Sequence, residues 1–155
     1  MITSDKGKEL IKHFESFRGK AYFDQAGVCT IGYGTTIING RPVQPTDECD
    51  LGTALIYLSN DLRVFESAVG RLITIDLKQH QFDALVCFAY NVGEGALASS
   101  TLRKHINAGI PVEEKRFTDW NKIKINGVLT PSAGLTRRRK AEFHLFSTGQ
   151  IKTSF

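Results

Sequence analysis

Hydrophobic positions near the start of the chain repeat with the period of a helix. The spacing i, i+1, i+4, i+7 predicts an amphipathic helix over residues 5–17 and is carried by Leu10, Ile11, Phe14 and Phe17. Ser4 or Thr3 precedes it as an N-cap. Glu15 lies at the flank of the apolar stripe, next to Phe14, rather than opposite it.

The period then changes to that of strands. Residues 20–43, "KAYFDQAGVCTIGYGTTIINGRPV", are rich in Tyr, Thr, Val and Ile. Turn signals at residues 25–27 and 39–40 divide this segment and predict a three-stranded antiparallel meander. Gly32 and Gly34 fall inside a strand pattern, which indicates a bulge or a close approach by other backbone or side-chain atoms.

From Pro45 onward the pattern is helical. Thr46 is expected to cap a long helix, followed by helical segments at 77–93, 99–109, 112–123 and 135–147, with a loop at 124–134. The predicted fold is α+β, a single domain over residues 1–155. A small sheet lobe, about 14–45, is linked by the long helix to a larger all-helical lobe made of 1–13 and 46–155. Such two-lobed architectures usually carry their ligand site in a cleft.

Composition narrows the class of protein. The chain has 155 residues, 41% hydrophobic and 23% charged, as in ordinary globular proteins. Lys and Arg exceed Asp and Glu by 20 − 16 = 4, a surplus that suits an anionic polymer such as nucleic acid or a bacterial wall. Three cysteines without CxxC or nearby His argue against a disulfide framework and a zinc site. The N-terminus has no apolar signal-peptide region, and no apolar run approaches the roughly 20 residues of a membrane span.

Two carboxylates and a hydroxyl lie across the change from helix to strand. Cleavage of a glycosidic bond needs one carboxyl group that stays protonated and another that stays ionised. Glu15, at the edge of an apolar face, is placed for the desolvation that raises a carboxyl pKa, whereas Asp24 lies in a polar turn region. Thr30 returns on the next strand, where its hydroxyl can hold a water. The alternative is a solvated Glu15 and an Asp24 that serves only its turn.

The spacing of these residues resembles that of a known family. Glu15, eight residues, Asp24, five residues and Thr30, followed by "IGYG", is the order found in the phage-type lysozymes, the endolysin muramidases of glycoside hydrolase family 24. Three further segments resemble the same family in the same order. They are "QFDALVCFAYNVG" (81–93), "STLRKHINAG" (100–109) and "GLTRRRKAEFHLF" (134–146).

The resemblance implies a reaction and the residues that perform it. Glu15 resembles the general acid, and Asp24 and Thr30 resemble the groups that position or activate water. The reaction would be hydrolysis, with inversion, of the β-1,4 bond between N-acetylmuramic acid and N-acetylglucosamine in peptidoglycan, without metal or organic cofactor. The chain departs from the family pattern at Thr35, where His is common; we interpret this position as structural.

The resemblance also carries expectations about the protein's place in the cell. It implies synthesis in the host cytoplasm without a signal peptide, action on the wall or periplasm after release, and lysis of the bacterium. The partners expected are the glycan strands of peptidoglycan. Nucleic acid and membrane-spanning partners are not expected, and the protein is expected to be a monomer.

Three more residues are candidates for substrate binding. Tyr33 offers an aromatic face for stacking, with a packed aromatic as the alternative. Asn91 offers an amide for a sugar acetamido group, with a helix-terminal role as the alternative. In the family a C-terminal arginine approaches the acid, and we choose Arg138 from Arg137–Arg139. A cation beside Glu15 would oppose the raised pKa, a conflict that the sequence leaves open.

Rival functions make distinct demands on the sequence. A lytic transglycosylase acts on the same bond with one acid and forms an anhydro sugar. A cysteine hydrolase built on Cys87 is disfavoured, because this thiol lies in the apolar run "ALVCFAY". A non-catalytic wall- or nucleic-acid-binding module would cluster its basic residues with exposed aromatics, whereas the positive charge here is dispersed.

Overall fold

The computed structural model describes residues 1–155, which form seven helices and six short strands. The helices are α1 (Asp5–Glu15), α2 (Leu51–Leu72), α3 (Gln79–Val92), α4 (Glu94–Ser99), α5 (Thr101–Asn107), α6 (Glu114–Thr118) and α7 (Ala133–Thr148). The strands are β1 (Arg18–Phe23), β2 (Cys29–Gly32), β3 (Ile37–Ile38), β4 (Arg41–Pro42), β5 (Lys122–Ile125) and β6 (Val128–Pro131). The α+β prediction is therefore confirmed.

The chain divides into two compact units. Residues Ile11–Val64 form one, called here the sheet unit. Met1–Leu10 together with Phe65–Phe155 form the other, called here the helical unit. None of the helices combines the length and the apolarity that crossing a membrane would require.

The strands of the sheet unit form two separate hairpins. β1 pairs with β2 and β3 pairs with β4, both antiparallel, so the predicted single three-stranded meander is wrong. The second edge of β1 is instead bound by the segment before α2. There the Ala21 N–H donates to the Asp47 carbonyl at 3.1 Å, and the Cys49 N–H donates to the Gly19 carbonyl at 2.8 Å.

Two glycines explain why the meander breaks. Gly32 and Gly34 have φ of 67° and 94°, a region that glycine enters without steric cost. Between them the chain reverses, and Ile31 and Thr35 exchange two backbone hydrogen bonds of 2.9 Å. A Cβ on Gly32 would lie 3.2 Å from the Cβ of Ala54, so the predicted close approach is also confirmed here. After this reversal, residues 37–42 pair with themselves.

The helix boundaries of this region differ from those predicted. α1 ends at Glu15 and not at residue 17, because Ser16 has a left-handed φ of 59°. α2 begins at Leu51 and not near Thr46. Residues 47–49 are held extended along β1, and Asp50 caps the helix by accepting the Thr53 N–H at 2.7 Å.

The helical unit is built around α3. Residues 82–89 of this helix are all buried, which is typical of a helix surrounded by others. Aromatic rings pack against Phe88, including Phe117 at 5.6 Å and Trp120 at 6.1 Å between centroids, both edge to face. Trp120 is half-buried and belongs to this aromatic cluster.

The helical unit also contains a hairpin that was predicted as a loop. β5 and β6 pair antiparallel around Asn126 and Gly127, whose φ values are 50° and 78°. This corrects the expectation of an all-helical lobe. The signal was present in the sequence, because Asn-Gly between short apolar runs is a strong hairpin pattern.

Candidate active site

The β1–β2 hairpin places two of the predicted catalytic side chains on one face. Tyr22 pairs directly with Thr30 across the strands. Asp24 follows Tyr22 by two residues, and side chains two apart along an extended chain share a face. The opposite face is apolar, since Ala21 and Cys29 pack against the buried cluster of Ile31, Ile38 and Val43. The hairpin thus has a polar face that carries Asp24 and Thr30, and a core face.

Asp24 is fixed by the turn that it starts. Its backbone N–H donates to the Val28 carbonyl at 3.0 Å. Its Oδ1 accepts the backbone N–H groups of Ala26 at 2.9 Å and Val28 at 2.8 Å. The turn role considered as an alternative is therefore present. It occupies Oδ1 alone, and the exposed side chain keeps Oδ2 for a water or a substrate.

Thr30 is buried, with 4% of its surface exposed. Its hydroxyl donates to the Val28 carbonyl at 2.9 Å. Because the hydroxyl proton is engaged there, Oγ1 is left to accept a hydrogen bond. The backbone of Val28 is therefore hydrogen-bonded to both side chains: its N–H donates to Asp24, and its carbonyl accepts from Thr30.

Glu15 is the last residue of α1 and is half-buried. Leu10 and Ile11 on the same helix are fully buried, so Glu15 lies at the border of the apolar face, as its spacing predicted. The left-handed Ser16 ends the helix directly after it, with its N–H on the Lys12 carbonyl at 3.0 Å. The sheet unit therefore holds Glu15, Asp24 and Thr30 within one compact body.

Tyr33 and Thr35 lie just beyond β2 in the same unit. Tyr33 is 7% exposed and its ring packs 5.8 Å from that of Phe17, which favours the packed-aromatic interpretation. Thr35 is buried and its hydroxyl donates to Asp61 Oδ2 at 2.7 Å. Burial raises the pKa of Asp61 above its usual range, against the opposing effect of this hydrogen bond.

Asn91 and Arg138, the other predicted binding residues, belong to the helical unit. Arg138 is buried on α7, with Nε 3.1 Å from Glu142 Oε1. Asn91, exposed in the last turn of α3, accepts a hydrogen bond at Oδ1 from Nη2 of the buried Arg139. Arg137 is exposed.

Sequence reasoning missed the centre of this network, Glu142. Its carboxylate is fully buried, and Oε2 lies 3.2 Å from Nε of Arg139. Glu142 follows Arg139 by three residues and Arg138 by four on the same helix. This spacing allows side chains to pair, and it was the sequence pattern that could have indicated the network. The thiol of Cys87 lies 3.4 Å from Oε1 of Glu142, and burial, assisted by that carboxylate, raises the pKa of Cys87. A buried thiol of this kind is inert.

Sequence reasoning also missed a stacked pair beside Asp24. The guanidinium carbon of Arg18 lies 4.2 Å from the ring centroid of Tyr22. The two residues lie four positions apart on β1, and the strand pairing is irregular between them. The Cα atoms of such a pair are about 13 Å apart along a regular strand, so no sequence pattern indicated the contact.

The chemistry available to the site is that of carboxyl and hydroxyl groups. The structure has no cluster of three or more His, Cys, Asp or Glu side chains suited to a metal ion. Cys29, Cys49 and Cys87 are free thiols.

The chain is similar to known phage endolysins in fold and in sequence. The fold matches the endolysin from Escherichia coli O157:H7 phage FAHEc1 with a TM-score of 0.93 and 38% identity, covering 98% of this chain and 97% of that one. In sequence, the chain is 42% identical to the endolysin of Bacillus phage B103 over 98% of its own length and 56% of that protein. It is 36% identical to the endolysin of Acyrthosiphon pisum secondary endosymbiont phage 1, over 96% and 99% of the two chains.

These similarities define first a class and then a family. The fold and its relatives are those of the lysozyme class of glycoside hydrolases. The family model for phage lysozymes matches residues 12–142. The chain belongs to the phage lysozyme family. It spans only about half the length of the Bacillus phage relative, 56%.

Proposed function

We propose that the protein is an endolysin that hydrolyses the β-1,4 bond between N-acetylmuramic acid and N-acetylglucosamine in peptidoglycan. Family membership supports this assignment. Glu15 is proposed as the general acid, and Asp24 and Thr30 as the groups that hold and activate the attacking water. The protein acts on the wall after release and leads to lysis of the bacterium.

The observation that carries the proposal is the shared attachment of Asp24 and Thr30 to Val28. Asp24 Oδ1 takes the Val28 N–H, and the Thr30 hydroxyl gives its proton to the Val28 carbonyl. A water on this face can then donate one hydrogen to Asp24 Oδ2 and the other to Thr30 Oγ1. Its lone pair is left for the anomeric carbon, and Asp24 takes the proton as the C–O bond forms.

Glu15 supplies the second half of the reaction. The leaving sugar oxygen carries negative charge as the glycosidic bond breaks, and a carboxylic acid can give it a proton. A position at the end of a helix, at the border of an apolar face, fixes the carboxyl group on a rigid element. Attack by water on the face opposite this acid would invert the configuration at the anomeric carbon.

Asn91 is proposed to bind a sugar acetamido group. Its Oδ1 is engaged by Arg139, which fixes the amide and directs the Nδ2 donors elsewhere. Arg138 and Tyr33 are 4% and 7% exposed. Their proposed parts in substrate binding therefore work through the residues that they support, in the case of Arg138 the buried Glu142.

The test is digestion of purified peptidoglycan by wild type and Glu15→Gln, with mass spectrometry of the soluble products. Loss of a general acid costs on the order of 10²–10⁴ in rate. Reducing-end muropeptides from wild type and almost none from the variant are expected. The exposed Glu9 on the same helix provides the matched control, and Glu9→Gln should retain the wild-type rate.

Two results would contradict the proposal in different ways. Anhydro-muropeptides would identify a lytic transglycosylase. No soluble product from wild type, together with sedimentation of the protein with the wall, would identify a non-catalytic wall-binding module.

A further inference from the structure

We propose that Arg18, stacked on Tyr22, binds a carboxylate of the peptide stems that peptidoglycan carries. The inference rests on the proposed function and deepens it, because it concerns the same face of the β1–β2 hairpin. It assigns a substrate-binding role to two residues that the sequence analysis left without one.

Register places the stacked pair on the face of the candidate catalytic groups. Arg18 pairs with Gly32, and Tyr22 pairs with Thr30. Gly32 and Thr30 are two residues apart on β2 and share a face. Arg18 and Tyr22 therefore lie on the face of Thr30 and Asp24, and the cation lies at the end of that face farther from the turn.

The contact with Tyr22 orients the guanidinium without consuming its donors. A cation 4.2 Å above the ring centroid is held by the ring face. The N–H groups of a guanidinium point outward in its own plane, so stacking leaves them available for a carboxylate in the two-point geometry that Arg favours. Arg18 is exposed and forms no ion pair with any Asp or Glu of the chain.

The charge of the surrounding face explains why a cation is needed there. Asp24 is exposed on the same face and repels any anionic substrate. The amino sugars of the glycan are uncharged once their lactyl groups are linked to peptide, whereas the peptide stems end in free carboxylates. Arg18 would offset the repulsion and place the stem, so that the glycan enters in one orientation.

The experiment compares two substrates that differ only in the charge of the stems. One is soluble glycan with intact peptides, and the other is the same glycan with its stem carboxylates converted to neutral amides. The quantity measured is the ratio of kcat/KM on the intact glycan to kcat/KM on the amidated glycan. For Arg18→Met this ratio should fall about threefold to tenfold, between the value of an exposed ion pair and that of a charge-assisted hydrogen bond.

Three further variants separate recognition from a structural role. Tyr22→Phe keeps the stacking ring and should keep the ratio, whereas Tyr22→Leu removes the ring and should lower it. Arg41→Met is the matched control, since Arg41 is an exposed arginine of the same unit that already pairs with Asp47 at 3.1 Å. The ratio of wild type should also fall as salt rises, because screening weakens an exposed charge pair.

Each result has a defined meaning. A ratio unchanged in Arg18→Met, or lowered equally in Arg41→Met, overturns the proposal while wild-type hydrolysis leaves the proposed function intact. Absence of product from wild type on both substrates overturns the proposed function itself, and the stem-binding role with it.

Discussion

Two carboxylates in different units of the molecule are each held by several donors, but the donors differ in kind. In the sheet unit, Asp24 is exposed and accepts two backbone N–H groups at one oxygen. In the helical unit, Glu142 is fully buried and is paired with two arginines, Arg138 and Arg139, at 3.1 and 3.2 Å. The same chemical group is therefore oriented in one place and neutralised in the other.

The difference shows what separates a carboxylate that can react from one that supports the fold. Backbone donors fix the position of Asp24 and carry no formal charge, so its own charge remains available to a water or a substrate. Arginines cancel the charge of Glu142, and burial removes it from solvent. The loss of one partner there would break a buried ion pair, which is costly.

The comparison is tested most directly by replacing each carboxylate residue with the corresponding amide. Asp24→Asn should lower the rate of peptidoglycan hydrolysis by about 10²–10⁴ and change the free energy of unfolding by less than about 1 kcal/mol, because Asn can accept the same two N–H groups. Glu142→Gln should lower the free energy of unfolding by about 3–5 kcal/mol, because the buried ion pairs that Glu142 forms with Arg138 and Arg139 are broken.

The measurements are product release from purified peptidoglycan and unfolding in urea, made on both variants at a temperature where each is folded. The fraction of Glu142→Gln that is folded should hydrolyse peptidoglycan faster than Asp24→Asn, at a rate closer to that of wild type. If Asp24→Asn unfolds as easily as Glu142→Gln, or retains full activity, the distinction between the two sites is wrong.

Thr30 sharpens the comparison on the side of the sheet unit. Thr30→Val keeps the shape of the side chain but removes both the bond to the Val28 carbonyl and the acceptor proposed for the water. The rate should fall on the order of 10²-fold, the usual cost of a misplaced reacting group. Thr30→Ser retains the hydroxyl and should stay within about tenfold of wild type on the same substrate. Equal losses in both variants would assign the effect to packing.

Much of the candidate site could be predicted because its parts are close in sequence. Glu15, Asp24 and Thr30 fall within 16 residues, and their placement needs only one helix end and one hairpin. The turn at Gly27 and the alternation of strand residues determine which side chains share a face. For these residues local pattern and final structure agree.

The features that were predicted wrongly or missed depend on contacts that the local sequence pattern does not determine. The meander broke because Gly32 and Gly34 allow a reversal, and because residues 47–49 took the free edge of β1. The stack of Arg18 on Tyr22 spans an irregularity in the pairing register. Glu142 pairs with neighbours on its own helix, yet its burial comes from α3, which lies about 50 residues earlier in the chain.

Asp61 is intermediate between the exposed Asp24 and the fully buried Glu142, and its substitution should have the smallest of the expected effects. It is half-buried, has the neutral Thr35 hydroxyl as donor, and burial raises its pKa above the ordinary value of 3.8. Below about pH 3.8 it is protonated in both states. As pH rises through the raised folded-state pKa, the folded protein must take on a charge that burial penalises, so wild type loses stability that Asp61→Asn does not lose.

The free energy of unfolding should therefore favour Asp61→Asn increasingly from about pH 4 upward and level off above the folded-state pKa. Asp50 is a control of opposite sign, because the Thr53 backbone N–H lowers its pKa below 3.8. The stability that ionised Asp50 contributes is present above that pH and is lost as pH falls. The free energy of unfolding of Asp50→Asn should therefore be furthest below that of wild type at neutral pH. Urea unfolding across this range measures both trends. Parallel curves for wild type and Asp61→Asn would mean that Asp61 is as well compensated as Glu142, and that donor charge does not distinguish these carboxylates.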